Sequence, residues 1–390
     1  MIPCDVAVIG GGVIGLTAAL TAARQGLQTV LVEAHTPPAW QVESPDLRVY
    51  ALALDNQALL ESLGLWRQIV QCRAFAYNGM TVFDEVQSSP LHFRAEDLGR
   101  SCLGHIVENG LLVDTLWQAV TQQPGIRVLC PDKIAAIDDL DDAVMLRLQS
   151  GLEISGRLAI GADGAGSKVR SLAGIETDEH DYRQKGLVTF VETELPHRNT
   201  AWQRFLGTGP LAFLPFGDNR CSIVWSLPEA KADALLSAEP EAFCRALDSA
   251  FAGTLGKTRL LSARAAFPLK RRLARTMLKD RTLLLGDAAH AVHPLAGQGV
   301  NLGLRDVTAL GQAFETAKAK TGDALDLRQL QRFARTRYSD NAVAALAFEN
   351  INRVFSNDVF ALSLVRGHAL GIADRLGPLK NAMARYAAGF

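Results

Sequence analysis

The sequence predicts an α/β protein: a discontinuous Rossmann-like nucleotide domain, an inserted domain built on antiparallel sheet, and helices at the C-terminal end. Three observations predict this. A glycine turn joins a β-branched strand to a helix within the first 33 residues. A second strand–turn–helix pattern returns after residue 282. Between the two, apolar and polar residues alternate with the period of half-buried strands.

The elements follow in order. Residues 5–9 read as a buried strand, 10–12 as a turn, and Val13 to Arg24 as a helix stopped by Gly26. Gln28 to Glu33 is the second strand, which completes a βαβ unit. A short helix is expected over 55–63, opened by Asp55 and closed by Gly64. Residues 79–93 alternate and break at Ser88-Ser89-Pro90. A helix is expected over 110–122, and short strands over 126–130, 144–148 and 157–161. Sheet is expected over 186–194 and 211–226, and a helix over 239–251. A buried strand over 282–285 leads to a long helix near 300–318, and 326–386 keeps a helical period. The pattern divides the chain into nucleotide-domain parts at 1–75, 101–178 and 273–345, inserted segments at 76–100 and 179–272, and terminal helices at 346–390.

Bulk properties narrow the function. The 390 residues carry a formal charge of −1, so no strong field favours nucleic acid. The six cysteines form no C-x-x-C pair, so neither a metal site nor a disulfide framework is expected, and a reducing, cytoplasmic setting is. Residues 6–23 are apolar like a leader peptide, but Asp5 precedes them without a basic stretch and four glycines interrupt them. No stretch reads as membrane-spanning.

Gly10, Gly12 and Gly15 stand in G-x-G-x-x-G spacing. The first makes the turn, the second admits a pyrophosphate to the backbone, and the third lets helix pack on strand. The helix start at Val13 and Ile14 then offers free amides to phosphate. Glu33, followed by Ala34, ends the second strand, where a carboxylate can accept ribose hydroxyls. This fingerprint does not separate NAD from FAD.

Residues 286–303 read Gly-Asp-Ala-Ala-His-Ala-Val-His-Pro-Leu-Ala-Gly-Gln-Gly-Val-Asn-Leu-Gly. This resembles the G-D-A-A-H-x-x-x-P-x-x-G-Q-G-x-N motif of the class A FAD-dependent aromatic monooxygenases, which share a hydroxybenzoate-hydroxylase-like fold. Gly286 and Asp287, at a strand end, suit the ribityl hydroxyls. Pro294, Gly297, Gln298 and Gly299 form the loop that would face the flavin ring. Val300 and Asn301 open a helix whose positive end can stabilise charge on reduced flavin. His290 belongs to the motif, with a structural hydrogen bond as its expected role; His293 is given no role.

Residues 161–170 resemble the same family's D-G motif, which places Asp163 near the cofactor pyrophosphate. An Asp-Gly turn with no ligand is the plain alternative. Arg48 matches a family arginine beside the flavin, with a surface ion pair as its alternative. Within the class, Arg204-Phe205, residues 209–215, Arg220 to Trp225 and His105 to Asn109 are similar to the ubiquinone-biosynthesis hydroxylases. The resemblance implies hydroxylation of a polyprenylated phenol through a flavin C4a-hydroperoxide. It also implies O2 as co-substrate, NAD(P)H or a partner reductase as electron donor, and a hydrophobic substrate met at a quinone-biosynthesis complex or the inner-membrane surface. Phe213, Leu214 and Pro215 are candidates for the pocket wall, with plain sheet core as their other reading. The run Lys270-Arg271-Arg272 reads as a solvated turn. Two rivals stand beside this: a class A hydroxylase of another aromatic substrate, and an FAD-binding subunit without turnover.

Overall fold

The β-branched run at the N-terminal end forms the centre of a parallel sheet. Val6–Ile9 is buried throughout, between Thr29–Val32 and Leu158–Gly161. Ile126–Leu129 extends one side and Thr282–Leu284 the other, both parallel, and Leu278–Lys279 closes the edge antiparallel. Parallel strands need cover on both faces, which is why these runs are almost purely apolar. The computed structural model describes residues 1–85, 90–291 and 298–355, with side chains left out at 298, 345 and 347–355.

Helix Val13–Arg24 covers one face. Leu16, Ala18, Ala19, Leu20 and Ala22 are buried against the sheet. Thr17 and Thr21 are buried too, but each hydroxyl donates to the carbonyl four residues back, at 2.6 and 2.8 Å. Helices Asn109–Gln122 and Gln298–Thr321 pack alongside it.

The second large sheet is mostly antiparallel. Ala265–Ala274, Thr177–Thr193, Arg220–Pro228, Gly209–Pro215 and Thr200–Leu206 run side by side, followed by Gly79–Asp84 and Leu91–Arg94. One face buries Leu211, Phe213, Ile223 and Trp225 against helices Glu229–Ser237 and Pro240–Ala250. The other carries Phe190, Ala212, Leu214 and Val224. Two smaller sheets complete the structure. One joins Val49–Ala53, Gly104–Glu108 and Phe75–Tyr77; the other joins Ile2–Pro3, Glu153–Gly156, Val144–Leu148 and Ile134–Asp139.

Some elements depart from the sequence reading. The strand expected at 186–194 begins at Thr177, nine residues earlier. Its first part is highly charged and pairs with the basic run, so 270–272 is strand and not turn. Glu179 sits opposite Arg272 and Asp181 opposite Lys270, joined by ion pairs of 2.6 and 2.9 Å. Cross-strand pairing of opposite charges lets a polar ribbon form where local propensity reads a loop. Helix Trp66–Arg73 was not expected; only Trp66 and Ile69 of it are buried, too few for a helical stripe to show in the sequence.

Candidate active site

A cavity of about 1120 Å³ lies between the glycine turn of the parallel sheet and the inner face of the second sheet. That exceeds the roughly 300–1,000 Å³ of an ordinary small-molecule pocket. Gly10, Gly12, Val13, Ile14, Glu33 and Ala34 line one end; Arg48, Asp163, Asp287, Gly299 and Val300 line the middle.

The three glycines meet different demands. Gly10 has φ +111°, and a Cβ there would fall 2.4 Å from the Ala162 carbonyl oxygen. A Cβ on Gly15 would fall 1.9 Å from the Gly10 carbonyl oxygen. Both positions are glycine because the protein itself occupies the space. A Cβ on Gly12 would meet no protein atom within 4 Å, and Gly12 lines the cavity. The demand for glycine there comes from the cavity side, as a pyrophosphate on a helix N-terminus requires. Glu33 fits the same group. Its two oxygens accept the amides of Gly11 and of His35, the latter at 3.0 Å, which fixes the carboxylate at the cavity edge with lone pairs to spare.

Asp287 lies on the cavity wall just after the Thr282–Leu284 strand. The turn that presents it is held from behind by Asp306, which is wholly buried. The Asp306 carboxylate accepts the Gly286 amide at 3.1 Å and the Asn341 amide at 3.1 Å. It also pairs with His290 Nε2 at 2.5 Å and Arg337 Nε at 2.9 Å. Burial opposes the imidazolium, but the Asp306 carboxylate outweighs it and holds His290 above its ordinary range. Burial likewise opposes the Asp306 anion, and His290 and Arg337 outweigh that and hold its carboxyl below the usual range. Asp306 and Arg337 carried no role in the sequence reading. The signal available was a buried-type acid one helical turn beyond the G-Q-G-x-N run.

The other motif residues divide between wall and scaffold. Asn301 is fully buried and turned away from the cavity. Its Oδ1 accepts from the Ala53 amide at 2.9 Å and Asn56 Nδ2 at 2.8 Å, and its Nδ2 donates to Ala51 at 2.8 Å. It pins the long helix to the Val49–Ala53 strand. Asp163 lines the cavity, yet its carboxylate accepts from Ser167 Oγ at 2.5 Å and from the Lys168 and Val169 amides at 2.7 and 3.1 Å. It orders the loop that presents Gly164, Ala165 and Gly166 to the cavity. Buried Arg170 ties that loop to the Asp287 turn, donating to Ala165 at 3.0 Å and Ala288 at 2.8 Å. Gly15 packs beneath the turn, and Gly286 has φ +57° over Ile14. Arg48 is exposed at the wall with its guanidinium 5.5 Å from the Tyr50 ring centre, and no acidic side chain pairs with it among the described residues. Burial pushes the Tyr50 hydroxyl up to about 12, so it stays protonated and donates to Asn109 Oδ1 at 2.9 Å.

The far wall is the sheet. Of the three residues expected there, only Leu214 lines the cavity. Phe213 points to the opposite face, stacked on Phe251 at 4.0 Å, and Pro215 is buried off the wall. Successive strand residues face opposite ways, so three in a row never share one wall. The wall residues missed in the sequence are Val188, Gln203, Pro210, Ala212, Val224 and Ser226. Their signal was the period-two alternation itself, which required the register between strands to be read. Pro294, Gly297 and His293 lie outside the described residues, and Gln298 is described only as the start of its helix.

Comparison with known proteins shows the family and the fold. Residues 3–337 match the family model described as "FAD binding domain". The chain is 34% identical over 388 residues to the 3-demethoxyubiquinol 3-hydroxylase of Escherichia coli, covering 99% of both chains. It is 34% identical to the ubiquinone hydroxylase UbiL of Rhodospirillum rubrum, covering 99% of this chain and 89% of that one. Its fold is similar to that of PqsL, a probable FAD-dependent monooxygenase from Pseudomonas aeruginosa, with a TM-score of 0.76 at 23% identity over 91% of this chain and 97% of that one.

Proposed function

The chain belongs to the FAD-binding-domain family and is an FAD-dependent aromatic monooxygenase; from that premise we propose that it hydroxylates the ring of a polyprenylated phenol in ubiquinone biosynthesis. The observation that supports this most is the shape of the cavity, which continues from the dinucleotide end onto an apolar sheet wall. The full-length relatives named for ubiquinol and ubiquinone hydroxylation support the substrate class.

In this reading the amides of residues 12–14 at the helix start would hold the pyrophosphate, and Glu33 would hold the adenylate ribose. Asp287 would take the ribityl hydroxyls, and the positive end of helix Gln298–Thr321, where Gly299 and Val300 line the cavity, would face the ring. When bound, FAD supplies the electrons and the activation of O2, with NAD(P)H as their source, directly or through a partner reductase. The protein's part is to hold the phenol ring over Val188, Ala212, Leu214 and Val224 and to keep water from that wall. Contact with a quinone-biosynthesis complex or a membrane surface belongs to the same proposal. No helix among the described residues is long and apolar enough to cross a membrane.

Metabolite analysis of a deletion strain tests this reading. We expect a prenylated ubiquinone precursor lacking one ring hydroxyl to accumulate, and the intact gene to clear it. Unchanged ubiquinone in a strain with no overlapping hydroxylase would overturn the assignment.

A further inference from the structure

The cavity wall on the second sheet is apolar except at three strand positions, Gln203, Ser226 and Lys270, the last of which is ion-paired with Asp181. Val188, Val224, Ala212 and Gln203 lie directly opposite one another across four strands, forming one row. Gly186 and Ser226 lie opposite each other two residues further along, and Pro210 lies opposite Phe205. Gln203 is 6% exposed and Ser226 is 2% exposed, and both line the cavity. Buried polar side chains normally find a partner in the protein. Among the described residues neither side chain makes a hydrogen bond; on the same sheet Thr189 bonds to Ala263 and Arg204 to Ala250, while Ser222 and Trp225, which do not line the cavity, also lack a side-chain partner. Both open onto the cavity, so a ligand that expels water from this wall must meet them or leave each unmet at about 1–3 kcal/mol.

We infer that Gln203 and Ser226 are specificity-determining residues that each take an oxygen substituent of the aromatic substrate, so the preferred ring carries oxygen on two separate edges. The inference rests on the hydroxylase reading above and deepens it. Sheet geometry supports the spacing. The two Cα atoms are two strands and two residues apart, about 12 Å by standard strand spacings. Both side chains line the cavity at that separation, which is wide enough to admit one substituted ring between them. The Gln203 amide both donates and accepts, and so does the Ser226 hydroxyl, so each can meet a hydroxyl or a methoxy oxygen. The ring face would lie on Ala212 and Val224, which separate the two polar groups.

The test is equilibrium binding to the FAD-loaded enzyme, read as the change in flavin absorbance on titration. The probes are a prenylated phenol with a single ring oxygen and its analogue with a second oxygen on the opposite edge. The wild-type protein should prefer the two-oxygen ring by about tenfold, one hydrogen bond's worth. Gln203→Met, which keeps the side-chain length, and Ser226→Ala should each bind that ring about tenfold more weakly and lose the preference. Ser226→Thr, which retains the hydroxyl, should restore it. FAD content and melting temperature should match wild type in all three, since neither side chain supports another group. A preference that survives both substitutions overturns the inference and leaves the hydroxylase reading intact. If neither phenol perturbs the wild-type flavin, the substrate reading itself fails and takes the inference with it.

Discussion

The two ends of the cavity are built in opposite ways. The dinucleotide end comes from about 25 consecutive residues, Ile9 to Ala34, and acts through backbone: glycines, free amides and one carboxylate set against them. The sheet end draws on strands from Thr177 to Ala274 and acts through side chains that alternate between a dry core and the wall. The difference teaches where specificity resides. A shared cofactor can be met by a fixed local backbone, whereas a substrate wall is set by choosing every second residue on several strands.

Substitutions can break or sharpen this contrast. The largest effect is expected at Gly15, where an added Cβ meets the Gly10 carbonyl oxygen at 1.9 Å. Gly15→Ala should cost about 4 kcal/mol or more, seen as loss of soluble, yellow protein. Next comes a pair of neighbours on the sheet. Phe213→Ala should cost about 3–5 kcal/mol in denaturant unfolding with little change in phenol affinity. Leu214→Ala, at the cavity wall, should cost nearer 2 kcal/mol and raise KM. Equal effects at the two positions would contradict the two-faced sheet.

The buried His290–Asp306 pair sharpens the contrast at the middle of the cavity. His290→Asn should destabilise the protein by about 3 kcal/mol near pH 6. The raised His290 pKa makes its contribution complete below the ordinary value of 6.5 and lost as pH rises through the higher folded value. The lowered Asp306 pKa makes its contribution present above the ordinary 3.8 and lost only as pH falls through the folded value. The gap in melting temperature between wild type and His290→Asn should therefore be widest between the two ordinary values, 3.8 and 6.5, and narrow as pH rises through the folded value of His290. A gap that widened with alkaline pH would reverse the assignment. The smallest stability effect is expected at Gly12. Gly12→Ala should leave the flavin-free protein within about 0.5 kcal/mol of wild type while FAD retention falls, because only the cavity side needs that space.

The same contrast explains what could be read from the sequence. Helix Val13–Arg24 and the strands beside it were legible because a buried parallel unit is written in one continuous stretch. The Asp287 turn was legible through its run of small residues, but the carboxylate behind it was not. Asp306 matters only because the fold brings Arg337 and Asn341 to it from another helix. Asn301 stands at the helix start as its motif predicts, and its side chain serves the Ala51–Ala53 strand edge, a contact no local pattern shows. On the sheet, Phe213 and Leu214 look alike in composition, and only register against Ile223 and Ser222 assigns their faces. Gln203 reads as an ordinary strand residue until the row through Ala212 and Val224 is known.

The most direct measurement is a single turnover with labelled oxygen. The FAD-loaded enzyme is reduced chemically, which removes the question of the electron donor, and is then mixed with a prenylated phenol and ¹⁸O₂. The account predicts one ¹⁸O atom in the ring hydroxyl of the product. Flavin that reoxidises with release of hydrogen peroxide alone, and no label in any phenol offered, would contradict it.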